Sequence, residues 1–188
     1  MLLIEIDGSD AEQVEGDYDA VGQLCLDRGA VEVYVADNHT TRERIWKIRR
    51  NIAEAFKVIS PVQSLEDIVV PTAAIPALMP EVERLSRSFG VTIPSYGHAG
   101  DGNLHATPVM NPAWTLDRWR RTLPKILADL YRLTGSLGGT ISGEHGIGHK
   151  RKAYMPLVMP AETLDLMRAI KRAWDPSNIL NPGKVFDA

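Results

Sequence analysis

Apolar positions recur along this chain with two periods, one suited to strands and one to helices. Residues 2–6 form a short apolar run that stops at Asp7-Gly8, which predicts a buried strand. Ser9 or Asp10 can cap the helix that follows, with Glu12 or Gln13 near the capping-box position. Val14, Ala20, Val21, Leu24 and Cys25 then recur at helical spacing until Gly29. Residues 31–35 predict a second strand. Residues 40–58 predict a helix with Ile45, Ile48, Ile52, Ala55 and Phe56 on one face. A third strand is expected at 68–70, stopped by Pro71. Residues 76–89 read as a helix with Leu78, Val82 and Leu85 inward, closed by Gly90. Residues 91–97 and 103–110 read as the two strands of a hairpin, and 114–133 as a long amphipathic helix. A glycine-rich loop with a short strand inside it spans 135–148. A last helix covers 161–174, and an irregular tail covers 175–188. This order predicts an α+β fold, an antiparallel sheet covered by helices.

Composition narrows the function classes. The chain has 188 residues, enough for one domain or slightly more. Hydrophobic residues make up 44% and charged residues 24%, which excludes global disorder. A net charge of -3 leaves no general footprint for nucleic acid or an anionic membrane. Arg118, Arg120, Arg121 and Lys125 read as a solvated helix face rather than a nucleic-acid patch. Cys25, the sole cysteine, sits between Leu24 and Leu26 and reads as core. No internal disulfide is possible, so a reducing, cytoplasmic compartment is expected, with peripheral attachment to a membrane left open. The longest uncharged stretch, residues 68–80, holds three prolines and is too short to span a bilayer. The first residues are acidic and apolar without a basic lead, unlike a signal peptide.

The chemistry concentrates in two glycine-rich motifs. In Gly97-His98-Ala99-Gly100-Asp101-Gly102-Asn103-Leu104-His105, Asp101-Gly102 is a strong two-residue hairpin signal. Counting outward from that turn pairs His98 with His105 on one face, where two imidazoles can reach a single metal ion. Gly97, Gly100 and Gly102 leave room for close approach to the backbone. The alternative is a hairpin with two packed or solvated histidines. The second motif is Ser142-Gly143-Glu144-His145-Gly146-Ile147-Gly148-His149-Lys150. Glu144 can supply an oxygen ligand, and two histidines with one carboxylate leave open positions on a metal. His145, adjacent in sequence, is expected to point elsewhere and to serve as a general base. The alternative is a glycine-rich turn with surface polar residues, which the density of glycine argues against. The segment lacks the third glycine of a dinucleotide loop, and the chain has no P-loop. A guanidinium within Trp46-Lys47-Ile48-Arg49-Arg50 can fork onto a carboxylate, although residue type alone favours an exposed basic turn.

Taken with Asp175-Pro176-Ser177-Asn178-Ile179-Leu180-Asn181-Pro182-Gly183-Lys184, these motifs resemble the C-terminal part of FAD-linked oxidases. That family of vanillyl-alcohol-oxidase-type flavoproteins includes D-lactate dehydrogenase, the glycolate oxidase flavin subunit and D-2-hydroxyglutarate dehydrogenase. Residues 2–8, Ile45-Trp46-Lys47-Ile48-Arg49 and Glu66-Asp67-Ile68-Val69-Val70-Pro71 carry the resemblance through the rest of the chain. The resemblance implies a ferredoxin-like cap half with a C-terminal helical segment, lacking the N-terminal FAD-binding domain and the first half of the cap. Residues 1–135 would be the partial cap domain with its metal-binding hairpin at 97–105. Residues 136–188 would carry the Gly-Glu-His-Gly loop against an FAD domain. By the same resemblance His98, His105 and Glu144 match ligands of a divalent metal, zinc or similar. His145 matches the base that takes the substrate hydroxyl proton, and Arg49 the carboxylate-binding arginine. Gly143 and Asn181 match positions beside FAD.

The implied activity is oxidation of a small D-2-hydroxy acid, of lactate or glycolate type, to the 2-oxo acid with hydride passed to flavin. Ala53 and Thr107 stand where hydroxyglutarate-type relatives carry polar residues, which favours a substrate without a second carboxylate. The implied partner is an FAD-binding domain or subunit, and the chain alone is expected to turn over little. Two other readings compete: a stand-alone His-His-Glu metal-binding or hydrolytic domain, and an inactive remnant that pairs as a homodimer through an exposed apolar face.

Overall fold

The computed structural model describes residues 1–36 and 38–187. The chain divides into two compact units, Met1–Asn51 and Ile52–Ala188. The first unit holds α1 (Ala11–Asp27) and most of α2 (His39–Ala55). Asp10 caps α1, its carboxylate accepting from the Glu12 and Gln13 amides at 2.9 and 3.3 Å. The strands expected at 2–6 and 31–35 are not formed. A strand exists only when a neighbour accepts its ladder, and no described segment pairs with either run. Their apolar side chains stay open to solvent: Val31 is 100% exposed, and Leu2, Tyr34 and Val35 are exposed as well. Of the apolar face expected over 40–58, Ile45, Ile52 and Phe56 are half-buried, whereas Ile48 and Ala55 are exposed.

The second unit carries the sheet. Strands β1 (Glu66–Val69), β2 (Ser95–His98) and β3 (Asn103–Ala106) form an antiparallel sheet in the order β1-β3-β2. The ladder weakens beyond Ala106 because Pro94 and Pro108 have no N–H to give. It persists as Thr107 N–H to Pro94 C=O, and as the Val109 bridges to Thr92 and Gln63. The short strand expected within 135–148 is reduced to one bridge, Thr140 with Val69.

The three remaining helices are α3 (Ile75–Phe89), α4 (Leu116–Ser136) and α5 (Ala161–Trp174). Pro76 opens α3, where a missing N–H costs nothing, and Gly90 ends it in the left-handed region at φ 66°. Thr115 caps α4 by accepting from the Arg118 amide at 3.2 Å. Trp119, Ile126, Leu127, Leu130 and Tyr131 recur at helical spacing and form its buried stripe. Helices α3 and α4 pack on each other, and α4 packs on β1. Their stripes meet Ile68, Leu104 and Ala106 from one face of the sheet. Full burial of residues such as Ile68, Leu78, Ile126 and Leu130 contributes about 1.5–3 kcal/mol each. The fold is α+β, a three-stranded antiparallel sheet with helices packed against it.

Candidate metal centre

The other face of that sheet collects the polar residues. In the ladder Asp67 lies opposite His105 and His105 opposite Tyr96, while Val69 lies opposite Asn103 and Asn103 opposite His98. Paired residues share a face, and so do residues two apart along a strand. Asp67, Asn103, His105, Tyr96 and His98 therefore emerge together, away from the face that carries Leu104.

The hairpin differs from its sequence-based expectation. Asp101-Gly102 does not close a two-residue turn. Ala99–Asp101 form a 3-10 turn, Gly102 follows in the left-handed region at φ 73°, and His98 pairs with Asn103 rather than with His105. The slip is two residues, an even number, so both imidazoles keep the same face. Their ring centroids are 6.4 Å apart, edge to face. Two of the hairpin glycines are required by this path. A Cβ on Gly97 would lie 2.2 Å from the Asn103 carbonyl oxygen, and one on Gly102 would lie 2.0 Å from that of Val70. The groups that press on them are neighbouring backbone. Gly100, by contrast, faces open space.

The loop at 142–145 wraps around the Asp67 carboxylate, which is fully buried. One carboxylate oxygen accepts from the Ser142 hydroxyl at 3.0 Å and from the amides of Gly143, Glu144 and His145 at 2.9, 2.9 and 2.8 Å. The other accepts from the Asn103 side-chain amide at 2.7 Å. Burial pushes the Asp67 carboxyl up, but the His145 amide, Asn103, the Glu144 amide and Ser142 outweigh it. Together they hold the group well below the usual carboxylate range. Gly143 admits this wrap, since a Cβ there would sit 1.8 Å from Asn103 Nδ2 and 2.6 Å from Val69 Cγ2.

The wrap brings Glu144 and His145 onto His105. The His105 side chain is 8% exposed and its Nε2 lies 3.1 Å from Glu144 Oε1; the Glu144 side chain is 53% exposed. His145 does not point elsewhere. Its ring stacks on that of His105 at 5.0 Å and 11°, with Nε2 3.7 Å from Glu144 Oε1. The Tyr96 ring adds a third aromatic neighbour to His105 at 5.1 Å, and Phe56 stands 5.8 Å beyond it.

Ligand atoms of His98, His105 and Glu144 all lie within 4.8 Å of one another, and so do those of Asp67, His105 and His145. The first set is the better suited to a divalent ion. Two imidazoles and one open carboxylate match borderline metals such as zinc and leave positions for water or a second molecule. In the second set Asp67 is already engaged by five hydrogen bonds. Of the other residues singled out from the sequence, Arg49 is half-buried on α2 of the first unit, and Asn181 lies in the tail with φ 49°.

Sequence reasoning assigned no role to Asp67 or to Glu66 beside it. Glu66, also fully buried, emerges on the opposite face of β1. It accepts from Ser64 Oγ at 2.6 Å and from the Tyr131 hydroxyl, and it pairs with Lys150 Nζ at 2.6 Å and with Arg151 Nε at 3.6 Å. The signal was present: two consecutive carboxylates opening a buried apolar strand demand partners.

Comparison with known proteins gives a consistent picture. Residues 1–185 match the family described as FAD linked oxidases, C-terminal domain. The glycolate oxidase subunit GlcD of Bacillus subtilis is 36% identical over 186 residues, covering 99% of this chain and 39% of that protein. A D-lactate dehydrogenase of Anaerostipes hadrus is 32% identical over 184 residues, covering 98% of this chain and 38% of that protein. A D-lactate dehydrogenase of Archaeoglobus fulgidus is 38% identical over 159 residues, covering 84% and 34%. The chain thus spans about two fifths or less of the length of these relatives.

Proposed function

Because the chain belongs to the family of FAD-linked oxidase C-terminal domains, we propose that it is the substrate- and metal-binding portion of a flavin-dependent oxidoreductase acting on a small D-2-hydroxy acid. The observation that carries this reading is the convergence of His98, His105 and Glu144, with His145 stacked against them. These three residues would hold a divalent metal, zinc or similar. Such a metal, when bound, polarises the hydroxyl and carboxylate oxygens of a 2-hydroxy acid and eases loss of the hydroxyl proton. FAD, when bound, supplies the hydride acceptor.

This chain's own residues do the rest. His145 Nε2 takes the hydroxyl proton, a task an imidazole can perform as general base. Its stacking on His105 fixes the ring plane beside the ligand set. On its chemistry, Arg49 is assigned the substrate carboxylate, which a guanidinium can grip with two parallel hydrogen bonds. Gly143 and Asn181 are assigned to the flavin side. The 136–188 segment is proposed to pack against an FAD-binding domain or subunit, as membership of an FAD-linked family suggests. Residues 1–188 by themselves are then expected to turn over little or no substrate. The names of the relatives support lactate or glycolate as the substrate class. Ala53 and Thr107 agree with an acid bearing a single carboxylate. Among the described residues no helix is long and apolar enough to cross a membrane.

The test is calorimetric titration of Zn²⁺ and Mn²⁺ into the metal-free chain, beside His98→Ala. One site, lost in the variant, is expected, and D-lactate or glycolate should then bind only the metal-loaded form. Absence of metal binding in the wild type would overturn the assignment.

A further inference from the structure

We propose that Asp67 is the positioning residue of the cluster: its buried carboxylate fixes the loop that presents Glu144 and His145 to His105. The proposal rests on reading that cluster as the metal and proton-transfer centre.

Three successive backbone amides, of Gly143, Glu144 and His145, converge on one Asp67 oxygen at 2.8–2.9 Å, and the Ser142 hydroxyl joins them at 3.0 Å. Consecutive N–H groups turned to one point form a concave anion nest. Here the anion is built into the protein and is placed by the ladder, since Asp67 is the direct cross-strand neighbour of His105. The distance from a ligand on β3 to the loop that carries the third ligand is therefore set by one side chain. Neither Glu144 nor His145 has a regular element of its own to hold it, because residues 142–151 form neither helix nor strand. Their donors need an acceptor away from water, and a charged one binds them about twice as strongly as a neutral one. Asp67→Asn keeps the shape and removes the charge. It also turns an NH₂ either toward the four loop donors or toward the donating Asn103 amide. The loop should then loosen, and Glu144 should lose its place 3.1 Å from His105.

The experiment compares the full chain as wild type, Asp67→Asn, Glu144→Ala and the double variant. Zn²⁺ affinity is read by calorimetry, and backbone amide exchange by NMR. Asp67→Asn should weaken Zn²⁺ binding by roughly 10–100-fold, the usual cost of losing a group that orients a ligand. In the Glu144→Ala background the same change should cost less than about threefold, because the residue it positions is gone. Amides 143–145 should exchange at least about tenfold faster in Asp67→Asn, with the β3 amides unchanged. Equal Zn²⁺ affinity in Asp67→Asn and wild type would overturn the proposal, as would the same loss in both backgrounds. If the wild type binds no Zn²⁺, the metal reading fails separately. Exchange then decides: faster exchange confined to 143–145 supports positioning, and unchanged exchange refutes it. Should Asp67→Asn fail to fold, Ser142→Ala removes one donor. It should speed exchange at 143–145 by an intermediate factor, and no change would again refute the proposal.

Discussion

Replacing Glu66 by glutamine should destabilise the second unit far more than its single lost charge suggests. Glu66 is fully buried behind β1, where it accepts from Ser64 and the Tyr131 hydroxyl and pairs with Lys150 and Arg151. The glutamine side chain keeps an acceptor for Tyr131 or Ser64 and adds no volume. Arg151 bears the cost. It is 5% exposed, and with the carboxylate gone its charge is left to the Gly146 carbonyl at 2.9 Å and the Leu65 carbonyl at 3.4 Å. Removing one partner of a buried ion pair costs about 3–5 kcal/mol. The lower end applies because the Lys150 side chain is 44% exposed and can turn to water. A loss of about 3 kcal/mol, divided by a urea slope of about 2 kcal/mol per molar, lowers the unfolding midpoint by about 1.5 M. Fluorescence-monitored urea melts measure this, with buried Trp119 reporting on α4. The decisive control is Glu66→Gln combined with Arg151→Met, which removes the stranded cation and should recover at least half the loss. A shift below about 0.4 M for Glu66→Gln, or a double variant weaker than the single, would refute the argument that an uncompensated Arg151 dominates.

Four further outcomes are expected. Gly102→Ala should lower Tm by at least about 5 °C, since Ala is strained at φ 73° and its Cβ would lie 2.0 Å from the Val70 carbonyl oxygen. Gly100→Ala, facing open space, should be close to neutral in the same melt. Leu130→Ala should cost about 2–5 kcal/mol by urea unfolding, because it opens a cavity at a fully buried α4 position. The Asp67 carboxyl is held below its ordinary value when folded, so the native state binds fewer protons than the unfolded chain. Its contribution is complete above the unfolded value of about 3.9 and is lost as pH falls from there through the folded value. Asp67→Asn should accordingly flatten the acid limb of a plot of stability against pH.

Periodicity located all five α-helices of the described residues. For 161–174 the agreement is to the residue, because proline before the helix and a Trp-Asp-Pro end after it punctuate both termini. It misjudged the two N-terminal strands because an apolar β-rich run states a preference without naming a partner, and in the first unit no described segment supplies one. It overextended the hairpin for a related reason. Val91 and Ile93 are buried, but Pro94 and Pro108 weaken the ladder that the apolar pattern continues through.

The candidate ligands were legible for a sturdier reason than the turn they were inferred from. The expected pairing of His98 with His105 gave way to His98 with Asn103, yet a slip of two residues returns every side chain to the same face. A slip of one would have sent His105 into the helices. What the sequence hid was support across distance. Asp67 reaches Ser142, Gly143, Glu144 and His145, and Glu66 reaches Lys150 and Arg151. These contacts join segments far apart in the chain and follow no local period. Both arise from one strand whose alternation sends consecutive carboxylates to opposite faces. One carboxylate grips the start of the loop in front of the sheet, and the other grips its end behind. The loop that carries Glu144 and His145 is thereby tied at both ends to β1, the strand paired with the His105 strand. Geometry at the cluster thus depends on the sheet's register more than on the loop's own sequence. Changes that preserve the β1–β3 register should spare the cluster, whereas those that strip either carboxylate should release one end of it.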